Sequence, residues 1–287
     1  MLEQHKARVI SANIHLTNRC NYDCIFCFSR GIDVSELSVD EWKRILNDMI
    51  CRREISKINF AGGEPLLYRD LKECIRYTKQ LGATTSIVTN GSQVDEKFLE
   101  DVSGYLDWIG FSIDSCLEKT EEALGRHSSG HRHLDHIIRI SKTARNLGMH
   151  IKLNVAVTRL CLCDDFHQII EDVNPDRVKF MQITKVPGTN SKGWAKTSVT
   201  PEEFEDFVKR HSNVLLPFGF RPVFETSEDM IDSYLMIDPL GRVRLGTHGG
   251  YVYMPYDTYW NGSMNVNYES YVRRGGIYDW SVQGVRS

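Results

Sequence analysis

The sequence predicts an α/β fold: a partial (β/α)6 TIM-like barrel with a C-terminal extension closing its open side. Three observations predict it. Apolar, strand-like runs alternate with helix-period runs six times between Val9 and Ile183. The ends of those strands carry the unusual residues: a cysteine triplet, a Gly-Gly-Glu-Pro turn, Asn90-Gly91 and Asp114. That is where α/β folds gather their chemistry. Finally, 287 residues suit one barrel-like domain with an appendage.

The elements follow in order. Val9 to Thr17 reads as the first strand. Ser38 to Arg53 has helical spacing at Trp42, Ile45, Leu46 and Met49, and Ser38 with Glu41 forms a capping-box pattern. Lys57 to Phe60 is a strand, Leu71 to Leu81 a helix closed by Gly82, and Thr85 to Thr89 a strand. Glu96 to Val102 is a short helix, Trp108 to Ile113 a strand, and His133 to Leu147 a helix closed by Gly148. Ile151 to Val157, Phe166 to Val173 and Arg177 to Ile183 complete the series as strand, helix and strand. Six strands with intervening helices imply a parallel sheet with right-handed crossovers, short of the eight of a full barrel.

Residues 1–185 are expected to form this core, and residues 186–287 an extension and lid within the same domain. From Pro187 to Lys196 the pattern breaks into a polar, glycine-rich stretch read as loop. Thr200 and Pro201 open another helix as N-cap and first helical residue. Pro239-Leu240-Gly241 turns a hairpin. The tail is rich in Gly, Tyr and Asn and is expected to wrap over the open end of the barrel, ordering when an anionic ligand meets Arg273 and Arg274.

Composition excludes several classes. A net charge of −3 offers no basic field for nucleic acid. No apolar run approaches the about 20 residues of a membrane span. The polar N-terminus shows no export signal, so the expected location is cytoplasmic and the eight cysteines are expected as free thiols. Cys51 and Cys74 lie in helical patterns and read as small buried hydrophobes.

The chemistry concentrates at Cys20, Cys24 and Cys27. Three thiolates on a compact loop suit a [4Fe–4S] cluster with one iron left open. A zinc knuckle completed by His15 or a distant cysteine is the alternative, although structural zinc usually takes four ligands. The spacing C-x3-C-x2-C, with Phe26 before the last cysteine, resembles the signature of radical S-adenosylmethionine (SAM) enzymes. The resemblance implies that the open iron binds SAM, whose cleavage yields a 5'-deoxyadenosyl radical. It also implies that Gly62, Gly63, Glu64 and Pro65 bind the methionine amine, that Ser112 and Asn154 contact the SAM ribose, and that Arg126 pairs with the SAM carboxylate. No cysteine follows Cys163, so ligands for a second cluster in the C-terminal part are lacking.

The ordered set N-I-H, C-N-Y-D-C-I-F-C-F, N-F-A-G-G-E-P, V-T-N-G-S, A-L-G-R, K-L-N, D-S-Y-L and R-G-G further resembles the viperin family of antiviral radical SAM enzymes. That resemblance implies a nucleoside triphosphate substrate (CTP, UTP or GTP), loss of the C4' hydrogen and 3'-hydroxyl, and a 3'-deoxy-3',4'-didehydro product that terminates chains. It implies an electron donor such as flavodoxin or ferredoxin. A triphosphate carries about four negative charges, so its site needs several cations. Lys57, Lys152, Arg177 and Lys179 lie on or beside barrel strands, and Lys152 shares its parity with Asn154. The alternative for each is a strand-end charge in solvent. Arg274 is a further cation from the tail, Asn13 a contact to sugar or base, and Tyr234 a late hydrogen or proton donor, unless it is core. Two stretches depart from the animal enzymes: Ala61 stands where they carry serine, and Leu245 to Gly250 stands where they carry both a cysteine and a basic cluster. Competing readings are a radical SAM enzyme acting on a peptide or RNA, and a zinc-stabilised binding module.

Overall fold

The computed structural model describes residues 10–29, 35–127, 132–216, 219–262 and 265–277. Its strands are β1 (Ser11–His15), β2 (Lys57–Ala61), β3 (Thr84–Thr89), β4 (Trp108–Ser112), β5 (His150–Val157), β6 (Arg177–Gln182), β7 (Val223–Glu225), β8 (Met236–Ile237), β9 (Val243–Thr247) and β10 (Gly250–Met254). They make one ten-stranded sheet in the order β10-β9-β8-β1-β2-β3-β4-β5-β6-β7. Pairs from β8 through β1 to β7 are parallel, and β9 and β10 add an antiparallel edge. The parallel set therefore exceeds the six expected strands by β7 and β8. Both are very short, three and two residues, and too brief to show a period.

Register sorts side chains into two faces. Ile14, Phe60, Ile87 and Ile109 stand in one row, with Phe111 and Leu153 in the next, and all are fully or almost fully buried under the outer helices. The alternate positions face inward: Asn13, Asn59 and Ser86 in one row, Gly110, Lys152 and Arg177 in another, and Ser112, Asn154 and Lys179 in a third. The outer face is aliphatic and aromatic, and the inner face is polar and charged. Among the described residues, the sheet does not close by backbone hydrogen bonds. Its ends meet through side chains, Tyr234 ahead of β8 donating to Glu225 of β7 at 2.6 Å. This is a partial barrel with a polar lumen.

Local sequence explains most of the helices. Ser38 and Glu41 form the capping box of Val39–Asn47, which runs on into a π-helical turn at Asp48–Arg52. Thr200 and Glu203 cap Pro201–His211 in the same way. Gly82 and Gly148 end their helices at φ of 88° and 92°, where a side chain would be strained.

Four expectations need correction. The stretch read as loop after Pro187 contains a helix, Ser191–Thr197. Asn190 anchors it, accepting from the Val186 N–H and donating to the carbonyls of Phe26 and Thr184. Gly193 sits in it because a Cβ would come within 2.1 Å of the Ile25 carbonyl oxygen. A helix at Glu118–Ala123 was not foreseen. Cys51 is exposed, whereas Cys74 is buried. Among the described residues, the tail covers the cysteine end only in part, where Tyr251 of β10 packs against Phe28 with ring centroids 6.3 Å apart. Its helix Tyr268–Arg273 packs under the strand starts, with the Tyr271 hydroxyl 3.0 Å from Ser11 Oγ and Arg177 donating to the Gly275 carbonyl at 2.6 Å. Tyr271 is fully buried and belongs to the main core. Residues 278–287 of the tail lie outside the described set.

Candidate active site at the cysteine loop and barrel lumen

Cys20, Cys24 and Cys27 lie on the loop that follows β1. Neighbouring backbone shapes that loop. The Asp23 and Ile25 N–H groups donate to the carbonyls of Gly125 and Leu124, and the Cys27 N–H donates to the Cys24 carbonyl. The N–H groups of Tyr22 and Ser29 point at the sulfurs of Cys20 and Cys27, at 3.5 and 3.4 Å. Burial pushes the Cys24 thiol up to about 12, with Arg126 opposing and Asp114 and the other two cysteines adding to the rise. Burial likewise raises the Cys20 thiol, so a cationic group is needed to favour the thiolates at these two positions.

That arrangement fits a cluster better than one metal ion. Among the described residues, the His, Cys, Asp and Glu ligand atoms that gather within 4.8 Å of one another are those of Asp165, His167 and His211, on two outer helices and the loop before one of them. The three sulfurs do not form such a group. They are spread more widely than the four ligands of a single zinc, which sit about 2.3 Å from the ion, and suit the corners of an iron–sulfur cube. His15, the alternative zinc ligand, instead contacts Ser29 Oγ and the Arg244 guanidinium.

The Gly-Gly-Glu-Pro turn clamps this loop. A Cβ on Gly62 would lie 2.5 Å from the Thr17 carbonyl oxygen, and one on Gly63 would lie 2.1 Å from that of Arg19. The Gly63 and Glu64 N–H groups donate to those same two carbonyls at 2.7 Å. The glycines permit close backbone approach, and the backbone approached here is the cysteine loop itself. Glu64 is buried and tied to the end of β3, accepting from Thr89 Oγ1, the Asn90 N–H and the Leu66 N–H. Burial raises its carboxyl to about 7 despite those bonds.

Arg126 stands over the Phe26 ring and pairs with Asp114 and, at 3.7 Å, with Glu121. All three are buried. Burial works against the Arg126 charge, but Asp114, Cys24 and Glu121 outweigh it. His133 closes the group, its Nε2–H donating to the Ser112 carbonyl and its Nδ1 facing the Tyr22 hydroxyl. Burial and the Arg126 charge push His133 down to about 3, so its ring is neutral.

Ser112 and Asn154 are register partners on β4 and β5 below the loop. The Asn154 Nδ2 is buried without a hydrogen-bond partner, and a Cβ on Gly110 would stand 3.2 Å from it. An orphaned donor over a glycine is a cradle for a polar ligand, and it suits the ribose of SAM. Deeper in the lumen, Lys57, Lys152, Arg177 and Lys179 lie close enough to repel one another. Burial, then Arg177 and Lys179, pull Lys57 down to about 7. Lys152 is held well below its ordinary value by burial and then by Lys179, Arg177 and Lys57. Burial brings Lys179 down to about 8 against the pull of its ion partner Glu225. Arg274 lies 3.5 Å over the Tyr234 ring and donates to the Ser233 carbonyl. Burial and Glu225 hold the Tyr234 phenol well above its usual range, so it keeps its proton. Asn13 accepts from Asn59 Nδ2 at 2.8 Å.

The sequence-expected residues thus fall into two layers, a cysteine-loop layer and a lumen layer. Sequence reasoning missed Asn59, Glu225 and Arg244. Asn59 shares strand parity with Lys57, a signal that was available. Glu225 sits on a three-residue strand with no readable period, and only the pairing of the two sheet ends brings it to Tyr234.

The family model described as the radical SAM superfamily matches residues 14–172. The chain is 35% identical over 272 residues to an S-adenosylmethionine-dependent nucleotide dehydratase of Thermoplasmatales archaeon (strain ISO4-H5), covering 94% of this chain and 96% of that one. It is 34% identical to the protein of the same description from Flammeovirga pacifica, with the same coverage. Among solved structures, Streptococcus suis SuiB bound to S-adenosylmethionine superposes with a TM-score of 0.63 at 17% identity, over 93% of this chain and 68% of that one. The anSMEcpe structure with bound AdoMet superposes at 0.66 and 14% identity, over 91% and 84%. Both share the fold.

Proposed function

The chain belongs to the radical SAM superfamily and, within it, to the S-adenosylmethionine-dependent nucleotide dehydratases, and on that premise we propose that it dehydrates a ribonucleoside triphosphate (CTP, UTP or GTP) to its 3'-deoxy-3',4'-didehydro analogue. The family's cofactors are a [4Fe–4S] cluster and SAM. When bound, they supply a 5'-deoxyadenosyl radical able to take the ribose C4' hydrogen. Cys20, Cys24 and Cys27 would hold the cluster. The Gly62–Pro65 turn, Ser112, Arg126 and Asn154 would hold SAM.

One observation carries the substrate reading: the inward-facing cluster of Lys57, Lys152, Arg177, Lys179 and Arg274 beneath the cysteine loop. Cations crowded at this cost are explained by a polyanion that neutralises them. A triphosphate held there leaves its ribose between the cations and the cysteine loop, beside Tyr234 and Asn13. Tyr234 then donates the proton with which the 3'-hydroxyl leaves as water, and one electron added to the ribose completes the didehydro product. Glu225 accepts the phenol's hydrogen bond and keeps it oriented. The electron comes from a protein donor such as flavodoxin or ferredoxin, and the product, lacking a 3'-hydroxyl, would terminate a growing chain.

The test is anaerobic turnover. Cluster-reconstituted protein is given SAM, dithionite and each of the four ribonucleoside triphosphates separately, and 5'-deoxyadenosine and nucleotide product are quantified. One or more triphosphates should stimulate SAM cleavage strongly, with product formed. Slow cleavage unchanged by any nucleotide would overturn the reading and favour a peptide or RNA substrate.

A further inference from the structure

Arg244 is a buried cation that none of the chemistry above uses. It lies on β9 opposite Met236, which in turn pairs with Asn13 of β1. Its guanidinium touches Met236 Sδ and the ring of His15, both on the lumen side of the sheet. Only 4% of the residue is exposed. A buried arginine is ordinarily matched by a carboxylate, with its five donors satisfied. Here none of its hydrogen-bonding partners among the described residues is charged. The nearest polar atoms are His15 Nε2 at 3.2 Å, and His15 Nδ1, Ser29 Oγ and Met236 Sδ at 3.5 Å each, and only one of the two ring nitrogens of a neutral His15 can accept. The Nε atom has no partner. His15 cannot supply an opposing charge, and burial followed by Arg244 itself keeps its ring neutral.

The surroundings pre-orient this group. The Tyr251 ring lies 4.5 Å from the guanidinium carbon and the Phe28 ring 5.7 Å from it. Aromatic faces leave the in-plane N–H fork as the part still able to bind. Tyr234 is two residues before Met236, about 7 Å along the chain, and Arg244 is one antiparallel step across, about 5 Å. The Phe28, Ser29 and His15 contacts place the fork at the level of the cysteine loop on the β1–β8–β9 side, whereas the triphosphate cations cluster on β2, β5 and β6. The part of a nucleotide left to fill that side is the base.

We infer that Arg244 is a specificity-determining residue that reads the nucleobase through two adjacent acceptor atoms, favouring guanine (O6 and N7) or cytosine (O2 and N3) over adenine and uracil. Adenine and uracil present an acceptor beside an N–H donor, and a donor fork repels that pattern. The inference rests on the nucleotide reading above.

The experiment compares wild type, Arg244→Lys and Arg244→Met as cluster-loaded enzymes, with iron per chain and cluster absorbance confirming intact protein. kcat and KM are measured for GTP, CTP, UTP and ATP from 5'-deoxyadenosine formation, alongside SAM affinity without nucleotide. Wild type should prefer GTP or CTP. Both variants should shrink that preference about ten-fold or more, chiefly through KM, because lysine keeps the charge but loses the fork. Unchanged preference in either variant would overturn the inference, as would a wild-type preference for ATP or UTP. Weakened SAM binding with an unchanged base preference would also overturn it, assigning Arg244 to the methionine carboxylate. Wild type stimulated by none of the four would sink the nucleotide reading itself, and this inference with it.

Discussion

Tyr234 combines a phenol that keeps its proton with a fixed acceptor, Glu225, at 2.6 Å. A donor acting after hydrogen abstraction should, when lost, uncouple two yields that are otherwise linked. Tyr234→Phe is expected to lower nucleotide product by about 10²-fold or more while 5'-deoxyadenosine still forms, and the ratio of the two checks it. The lysines supply a second prediction. Lys57 and Lys179 titrate near 7 and 8 in the free protein because burial, with neighbouring cations, favours their neutral forms. A bound triphosphate returns them toward ordinary lysine values. Binding near pH 8 should therefore take up protons, and affinity should fall as pH rises from about 7. Calorimetry in buffers of different ionisation enthalpy measures the uptake. A binding heat independent of buffer would refute it.

At the level of elements, the cysteine loop is a product of what presses on it. The Gly-Gly-Glu-Pro turn, Gly125 and the helix Ser191–Thr197 all meet its backbone through glycines that a methyl group would unseat. Gly193 is the sharpest case because it lies outside any recognised motif. Glycine to alanine within a helix ordinarily stabilises by about 1 kcal/mol. Here the added Cβ would meet the Ile25 carbonyl at 2.1 Å, a backbone atom that cannot rotate away. Overpacking of that kind costs about 1–3 kcal/mol, so the clash wins. Gly193→Ala should lower iron per chain after reconstitution while the circular dichroism spectrum is retained, and full iron loading would refute the clamp.

For the whole molecule, the open sheet must be joined by something other than its own ladder. Glu225, Tyr234, Lys179 and Arg274 join its ends, and the helix Tyr268–Arg273 holds Arg274 and the Gly275 carbonyl in place. Tyr271 anchors that helix in the core. Tyr271→Ala should destabilise by about 3–5 kcal/mol in a urea titration and weaken nucleotide binding together with it. Loss of stability with binding intact would separate the tail from the site. Among the described residues, no helix is long and apolar enough to cross a membrane.

Local chemistry by itself determined the cysteine triplet, the six long strands, the capped helices and the parity that turns Lys152 and Asn154 to one face. Each of these depends on residues a few positions apart, where period and cap chemistry act directly. Tertiary structure alone decided the rest. β7 is too short to carry a period and exists because β6 pairs with it, and β8, legible as one arm of the hairpin at Pro239-Leu240-Gly241, owes its parallel pairing with β1 to the tertiary fold. Gly193 read as a breaker because its reason is a backbone segment about 170 positions away in sequence. The tail read as a wrap over the open end of the barrel; Tyr251 packs at the cysteine loop, but the helix Tyr268–Arg273 lies under the strand starts, a placement set by the core contacts of Tyr271. Arg244 looked like one charge in a hairpin. That it is buried without an anion among the described residues depends on which strand lies opposite, and such long-range pairing is written in no single stretch of sequence.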